Sequence, residues 1–313
     1  MFGQPKGRKL PHPPKAKNKL IYGIVVAILM LVALFNARIK SQMIQNLRQS
    51  DADFQVHVID VGQGDSILVC ADGHAMLVDS GEAASGSKVA DYLDALGIQE
   101  LDYAVASHFH ADHIGGFAKA IEGRKVGTIL EPECTESLIP TSAAFETYLD
   151  AVEKSGAAYQ TAKPGDTFSL GSAQITVVAP GVMDEENLNN DSLVMRITYQ
   201  HTSCLLTGDM ESGEESWLLK QGTDLQADFL KVAHHGSANG SGEALLSAVK
   251  PSFAAISCAK ENDYGHPAAS TLDRLAQVTN EVYVTADSGT VVYLYDHETG
   301  HKWVLTEKQE ETP

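Results

Sequence analysis

What the chain lacks narrows its chemistry before any motif is read. Its four cysteines, Cys70, Cys134, Cys204 and Cys258, form no CxxC pair, which removes thiolate zinc sites and dithiol redox motifs. Cys70 in ILVC and Cys204 in SCLL lie in apolar, strand-like runs, where a cysteine is usually a small buried hydrophobe. Low-complexity tracts and internal repeats are absent, and no linker divides the chain. Basic runs are absent beyond residue 40. Residues 1 to 40 hold 8 Lys and Arg and no acid, which leaves 15 of the 23 basic residues against all 41 acidic ones, a net charge of −26 for residues 41 to 313. Such a domain should repel long duplex DNA, because non-specific nucleic-acid binding relies on Lys and Arg neutralising phosphates. Arg124, Lys125, Lys231 and Lys260 are the material for one local basic patch.

The one long stretch without charge is LIYGIVVAILMLVALFNA, Leu20 to Ala37. As a helix it would be ~27 Å long, close to the ~30 Å hydrocarbon core of a bilayer. The lysines before it favour a cytoplasmic N-terminus and an extracytoplasmic remainder. No lipid-anchor cysteine follows, and no small-x-small cleavage site is evident, so an uncleaved anchor is favoured over a signal peptide that would release a secreted protein. The expected organisation is a basic tail over residues 1–19, a transmembrane anchor over 20–37, a stalk over 38–53 and a folded domain over 54–313.

From Phe54 onward the pattern changes. FQVHVIDVG and DSILVCADGHAMLVDSG alternate in the manner of paired strands broken by Gly turns. SKVADYLDALGI predicts a helix that buries Val89, Tyr92, Leu93 and Leu96 and stops at Gly97. LDYAVAS is then a short buried strand. Further strands are expected in VGTILEP, DTFSLGSAQITVVAP, SLVMRITYQHTSCLLTG, ADFLKVAHHG, FAAISC, EVYVTAD and TVVYLYD. Helices are expected in SAAFETYLDAVEKSG, EESWLLKQG, SGEALLSAV and AASTLDRLAQV. Interspersed strands and helices imply an α/β protein whose sheets are covered by helices.

The densest chemistry is SHFHADHIGG, Ser107 to Gly116. His108 and His110, two apart beyond a strand, fall on one face, and Asp112 and His113 follow in the turn. Imidazole and carboxylate suit Zn and, with more carboxylate, Mn or Fe. Gly115 and Gly116 would let backbone pass close to the ions. Asp209 follows an apolar strand in CLLTGDM, and His234 and His235 do the same in FLKVAHHGS. Three strand ends delivering ligands suggest one site, since strands of a common sheet finish along a common edge.

HFHADH, with LVDSG before it and TGD after it, resembles the metallo-β-lactamase fold over nearly all of residues 54 to 305. Together with VIDVGQGDSILV, LLTGDMES with Glu214 or Glu215, DFLKVAHHGS and NDYGHP, the pattern is similar to the extracytoplasmic domain of ComEC-type competence proteins. The resemblance implies a four-layer αβ/βα sandwich with two divalent ions, Zn or Mn, at one edge of the sheets. His108 and His110 would hold one ion, Asp112 and His113 the other, and Asp209 would bridge them. One of His234 and His235 would complete the second site, with His234, at the strand end, preferred. Asp79 would orient the ligand loop from behind.

The family's third histidine on the first ion has no counterpart, because His201 falls in a hairpin turn; NLNNDSLV brings Asn189, Asn190 or Asp191 there instead. His266 and Tyr264 of NDYGHP would stand near the ions, His266 contacting a phosphate or protonating the leaving oxygen, and Ser237 would offer a hydroxyl to substrate. The reaction so implied is hydrolysis of a phosphodiester by activated water, with Asp112 orienting the water. DNA or a small or cell-wall phosphodiester is the expected substrate. Because competence channels have many membrane spans, a separate channel protein is the expected partner if DNA is the substrate. Hydrolysis of a lactone, β-lactam or other ester, or a non-catalytic binding role, are the alternatives.

Overall fold

The computed structural model describes residues 16–48, 50, 52–134, 136–181 and 186–308, of which 16–20, 33, 35–37, 39, 40 and 136 are described by backbone alone. In chain order the strands are β1 Phe54–Val58, β2 Ile67–Ala71, β3 His74–Val78, β4 Glu100–Val105, β5 Lys125–Pro132, β6 Ala158–Ala162, β7 Thr167–Leu170, β8 Ala173–Ala179, β9 Val194–Tyr199, β10 Thr202–Leu206, β11 Phe229–Lys231, β12 Phe253–Ile256, β13 Val282–Val284, β14 Val291–Tyr295 and β15 Lys302–Thr306. They form an eight-stranded sheet, β15-β14-β1-β2-β3-β4-β5-β6, and a seven-stranded sheet, β13-β12-β11-β10-β9-β8-β7.

The period-2 pattern decides how the sheets face. Along β1, Phe54, Val56 and Val58 enter the apolar layer between the sheets with Ile175, Ile197 and Phe229. His57 points to the other face and meets the Tyr92 hydroxyl at 2.9 Å. Two outer apolar layers close the sandwich. One packs Leu68 and Leu77 under Val89, Tyr92, Leu93, Phe117 and Tyr148. The other packs Leu205 and Leu230 under Leu218, Leu245 and Leu246. Three apolar layers separate four layers of secondary structure, in agreement with the expected αβ/βα arrangement.

The helix Gly86–Leu96 ends as its sequence predicts, with Gly97 at φ 80 donating its N–H to the Asp94 carbonyl at 2.9 Å. β6 and β15 were not legible. β6 is exposed at four of five residues and β15 is half-buried throughout, so neither alternates.

The N-terminal helix Ala16–Arg48 differs from the expected stalk. Its last turns bury Met43, Ile44 and Leu47 in the outer layer under the first sheet, and the Arg48 guanidinium bonds the Ala95 carbonyl. Apolar pressure on those three side chains makes residues 43–48 part of the domain. Upstream, Ile21, Ile24, Ile28, Leu31 and Leu34 are exposed. Among the described residues no helix is long and apolar enough to cross a membrane. Side chains 20, 33 and 35–37 of the uncharged run, and residues 1–15 of the basic tail, lie outside the described residues.

Candidate metal centre

The strand β4 ends at Val105, and the chain then runs extended into the short helix Ala111–Ile114, with His110 as its N-cap at ψ 150. Side chains alternate along this stretch. Phe109 goes to the apolar layer, 5.1 Å from the Phe145 ring, while His108 and His110 turn the other way and meet, Nε2 to Nδ1, at 2.9 Å. Asp112 and His113 sit on the first turn beyond, with His113 buried and Asp112 partly open.

β10 runs from the His201 turn to Leu206 and leads to Asp209 at its far end, so His201 is at the wrong end of the strand to be a ligand. Asp209 Oδ2 is the hub of the cluster. It lies 3.3 Å from His113 Nε2, 3.4 Å from His235 Nε2, 3.7 Å from His234 Nε2 and 4.0 Å from His108 Nε2. Asp112 Oδ2 is 3.4 Å from His235 Nε2 and 3.9 Å from His113 Nε2. The convergence holds, but β4 belongs to one sheet and β10 and β11 to the other. The common edge is therefore shared by two sheets rather than supplied by one.

Asp79 stands where it was expected. At φ 59 its backbone turns sharply, and its carboxylate accepts from the Ser107 N–H at 2.8 Å, the Ser107 hydroxyl at 2.7 Å and His113 Nδ1 at 2.8 Å. With Nδ1 engaged, His113 presents Nε2 to Asp209. His235 is held the same way, its Nδ1 donating to the Ser257 carbonyl at 2.9 Å, so that its Nε2 faces Asp112 and Asp209.

His113 Nε2, His235 Nε2 and Asp209 Oδ1 are all buried without a hydrogen-bond partner. Buried nitrogen and oxygen atoms in that state call for a partner, and this donor set fits a divalent ion. Among the overlapping groups with the required proximity are His108, His113 and Asp209, and Asp112, His113 and His235. Burial would keep His113 and His235 neutral, but Asp209, with Asp79 behind His113 and Asp65 behind His235, pushes both imidazoles well above their ordinary range. The surrounding carboxylates thus demand positive charge at this point. Burial, with His113 next in weight, holds His108 well below its ordinary value, as suits a neutral ligand.

The doubled histidine is decided differently from the sequence preference. His234 and His235 both adopt left-handed backbone, φ 49 and φ 54, which sends the adjacent rings apart. His235 is buried at the hub, while His234 is 20% exposed, with Nδ1 3.1 Å from Glu211 Oε1. Geometry therefore favours His235 as the ligand.

Other expectations are also revised. Gly115 and Gly116 have ordinary negative φ, and a Cβ on them would lie 2.4 Å from the Ala111 carbonyl oxygen and 2.2 Å from the Ser80 carbonyl oxygen. They allow backbones to pack behind the loop, not to approach an ion. Gly64 is the residue that touches the ligand turn, at φ 114 with its hypothetical Cβ 2.1 Å from the Asp112 carbonyl oxygen. In the Asn-rich segment Asn189 lines the cleft and donates its side-chain amide to Glu211 Oε1 at 3.0 Å, whereas Asn190 accepts from the Glu211 N–H at 3.1 Å and Asp191 is fully buried. Ser237 is buried and does not line the cleft, its hydroxyl accepting from the Asn239 N–H at 3.3 Å. Glu214 and Glu215 bond the Gly181 and Gly242 N–H groups as backbone anchors. Arg124, Lys125, Lys231 and Lys260 do not come together as one patch. Arg124 and Lys231 are buried, and Lys125 and Lys260 pair with Glu100 and Asp287.

Sequence reasoning missed Asp65, Lys231 and Glu211 as parts of this environment. Asp65 follows the GQG turn and Glu211 the TGD turn, so a polar residue just beyond a glycine turn at a strand end was the available signal.

The ligand edge opens into a cleft of about 330 Å³ lined by Gln63, His110, Asp112, Asn189, Tyr264 and His266, among others, with no Lys or Arg among them. Tyr264 is 70% exposed, and its ring stacks on His266 at 5.6 Å.

Comparison with known proteins fits this geometry. The chain is 32% identical to ComE operon protein 3 of Bacillus subtilis over 79% of its own length and 34% of that protein. It is 30% identical to Competence protein ComA of Neisseria gonorrhoeae over 70% of its length and 29% of that protein. It thus spans about a third or less of these relatives. CmlA, a diiron beta-hydroxylase from Streptomyces venezuelae, shares the fold with a TM-score of 0.53 at 16% identity, over 74% of this chain and 52% of that one. The model of the metallo-beta-lactamase superfamily matches residues 59–260, a span that holds every candidate ligand described above, and the chain belongs to that superfamily.

Proposed function

We propose that the domain is a metal-dependent hydrolase of phosphodiesters, tethered to a membrane with its cleft on the extracytoplasmic side. The observation that carries the reading is the set of buried, partnerless ligand atoms around Asp209 at the floor of an open cleft. His108, His110, Asp112, His113, Asp209 and His235 would hold two divalent ions, Zn or Mn. Ions so bound would supply an activated water and stabilise oxygen charge in an in-line displacement. Asp209, reaching four imidazoles through one oxygen, sets the spacing of the ligands. Asp112, partly open to the cleft, would orient the attacking water.

His266 is held below its ordinary value by burial and by His234 and His235, which favours the neutral imidazole. A neutral imidazole there suits a hydrogen bond to a phosphoryl oxygen. With no basic side chain lining the cleft, short or small phosphodiesters are favoured over long duplex DNA. The similarity to competence proteins supports a role next to DNA, and a separate channel protein remains the partner proposed for it. The anchor rests on the uncharged run and on the exposed Ile21 to Leu34 face.

The test uses the full chain in detergent, stripped and reloaded with Zn or Mn, on bis-p-nitrophenyl phosphate, single-stranded DNA, duplex DNA and a lactone. Phosphodiester turnover abolished in the His108→Ala, Asp112→Ala double variant supports the reading. Undiminished turnover in that variant, or turnover of the lactone alone, overturns it. Protection of the domain from protease on intact cells would overturn the topology.

A further inference from the structure

Behind His235 lies an ion pair that stability alone does not explain. Lys231 Nζ and Asp65 Oδ2 are 2.7 Å apart, with both side chains fully buried. Burying two charges costs more than their attraction returns unless other partners satisfy them, and such pairs are often replaceable by apolar residues without loss. Here the other partners belong to the candidate centre. Asp65 Oδ1 is 3.4 Å from His235 Nδ1, and its backbone N–H donates to the Asp112 carbonyl at 3.2 Å. The Lys231 ammonium also donates to the Val232 carbonyl at 3.0 Å. Asp65, Asp209 and His235 bring ligand atoms within 4.8 Å of one another in a fully buried position, which is itself a group able to hold a cation.

We propose that Lys231 is a built-in cation of this site. Its ammonium supplies the positive charge that an extra divalent ion would otherwise bring to Asp65, Asp209 and His235. Asp65 is thereby kept as a positioning carboxylate behind His235 and does not become a ligand. The pair mirrors Asp79 behind His113, with one difference: Asp79 has no lysine beside it and is occupied instead by Ser107 and His113. The inference rests on the proposed metal centre, and divalent binding is the readout that tests it independently of turnover.

The experiment titrates the metal-stripped full chain with Mn²⁺ and follows bound metal and thermal unfolding. Lys231→Met is expected to take up about one more equivalent than the parent and to gain more thermal stability from Mn²⁺, because the freed carboxylate then recruits an ion. The neutral pair Asp65→Asn, Lys231→Met is expected to fold, to lose the extra equivalent and to bind Mn²⁺ about ten-fold or more weakly, the usual size of effect for a residue that orients a ligand. A Lys231→Met protein with the parent's stoichiometry, or one that stays unfolded at saturating Mn²⁺ while the neutral pair binds with parental affinity, overturns the proposal. Absence of divalent binding by the parent would overturn the metal centre as well, whereas normal parental binding with unaltered variants sinks this inference alone.

Discussion

At the scale of single residues, the site is a set of side chains held from behind. Asp79 fixes His113, Ser257 fixes His235, and the Ser192 hydroxyl accepts from the Asp209 N–H at 3.0 Å. Replacing Asp79 by Asn should leave the fold intact and weaken metal binding about 10–100-fold, measured by competition with a chelator. The doubled histidine provides a sharper contrast. His235→Ala should lose bound metal on dialysis, whereas His234→Ala should retain it; equal loss in both variants would return His234 to the ligand set. Gly64→Ala tests the close approach. Its Cβ would overlap the Asp112 carbonyl at a φ that disfavours any side chain, so a loss of about 1–3 kcal/mol is expected in urea denaturation, with lower metal content.

At the scale of elements, strands act as rails and loops as tools. β4, β10 and β11 come from regular alternation or short apolar runs, and all three end at the same edge. The end of the N-terminal helix is a further element of the core. Leu47 is 3% exposed, and Leu47→Ala should cost about 2 kcal/mol or more, read from the unfolding midpoint. A free stalk would show no change.

β1 also carries a pH device of ordinary kind. His57 is fully buried, and burial pushes its pKa from 6.5 down to about 3. The folded value lies below the unfolded one, so between these two values the unfolded chain binds the additional proton and stability falls as the pH falls. Relative to the parent, His57→Gln should flatten the acid side of the stability profile by roughly 2–4 kcal/mol over that window. An unchanged slope would assign acid sensitivity to other groups.

At the scale of the whole molecule, charge decides which substrates can approach. A formal charge of −18, with 8 of the 23 basic residues and no acid before residue 41 and hence −26 beyond it, leaves the domain repelling polyanions. Cleavage of a single-stranded oligonucleotide should therefore speed up as salt rises from about 0.01 to about 0.15 M, because the screening length contracts from about 30 Å to about 8 Å. A small diester should show little change over the same range. A rate on oligonucleotide that falls steeply with salt would instead reveal a basic contact surface.

Local pattern by itself determined most of the strands and helices from Phe54 to Tyr295, the Gly97 stop, and the turns that carry the candidate ligands at His108–His113, Asp209 and His234–His235. These depend on alternation, turn chemistry and residue type, all of which act over a few positions. Tertiary structure alone decided that the shared edge belongs to two sheets, that His235 is buried at the hub while His234 stays partly open beside it, that Lys231 is buried against Asp65, and that residues 43–48 join the core. Each of those outcomes depends on which distant segments come into contact. Edge strands such as β6, with no buried face, left no alternation to read for the same reason: their partners, not their own side chains, make them strands.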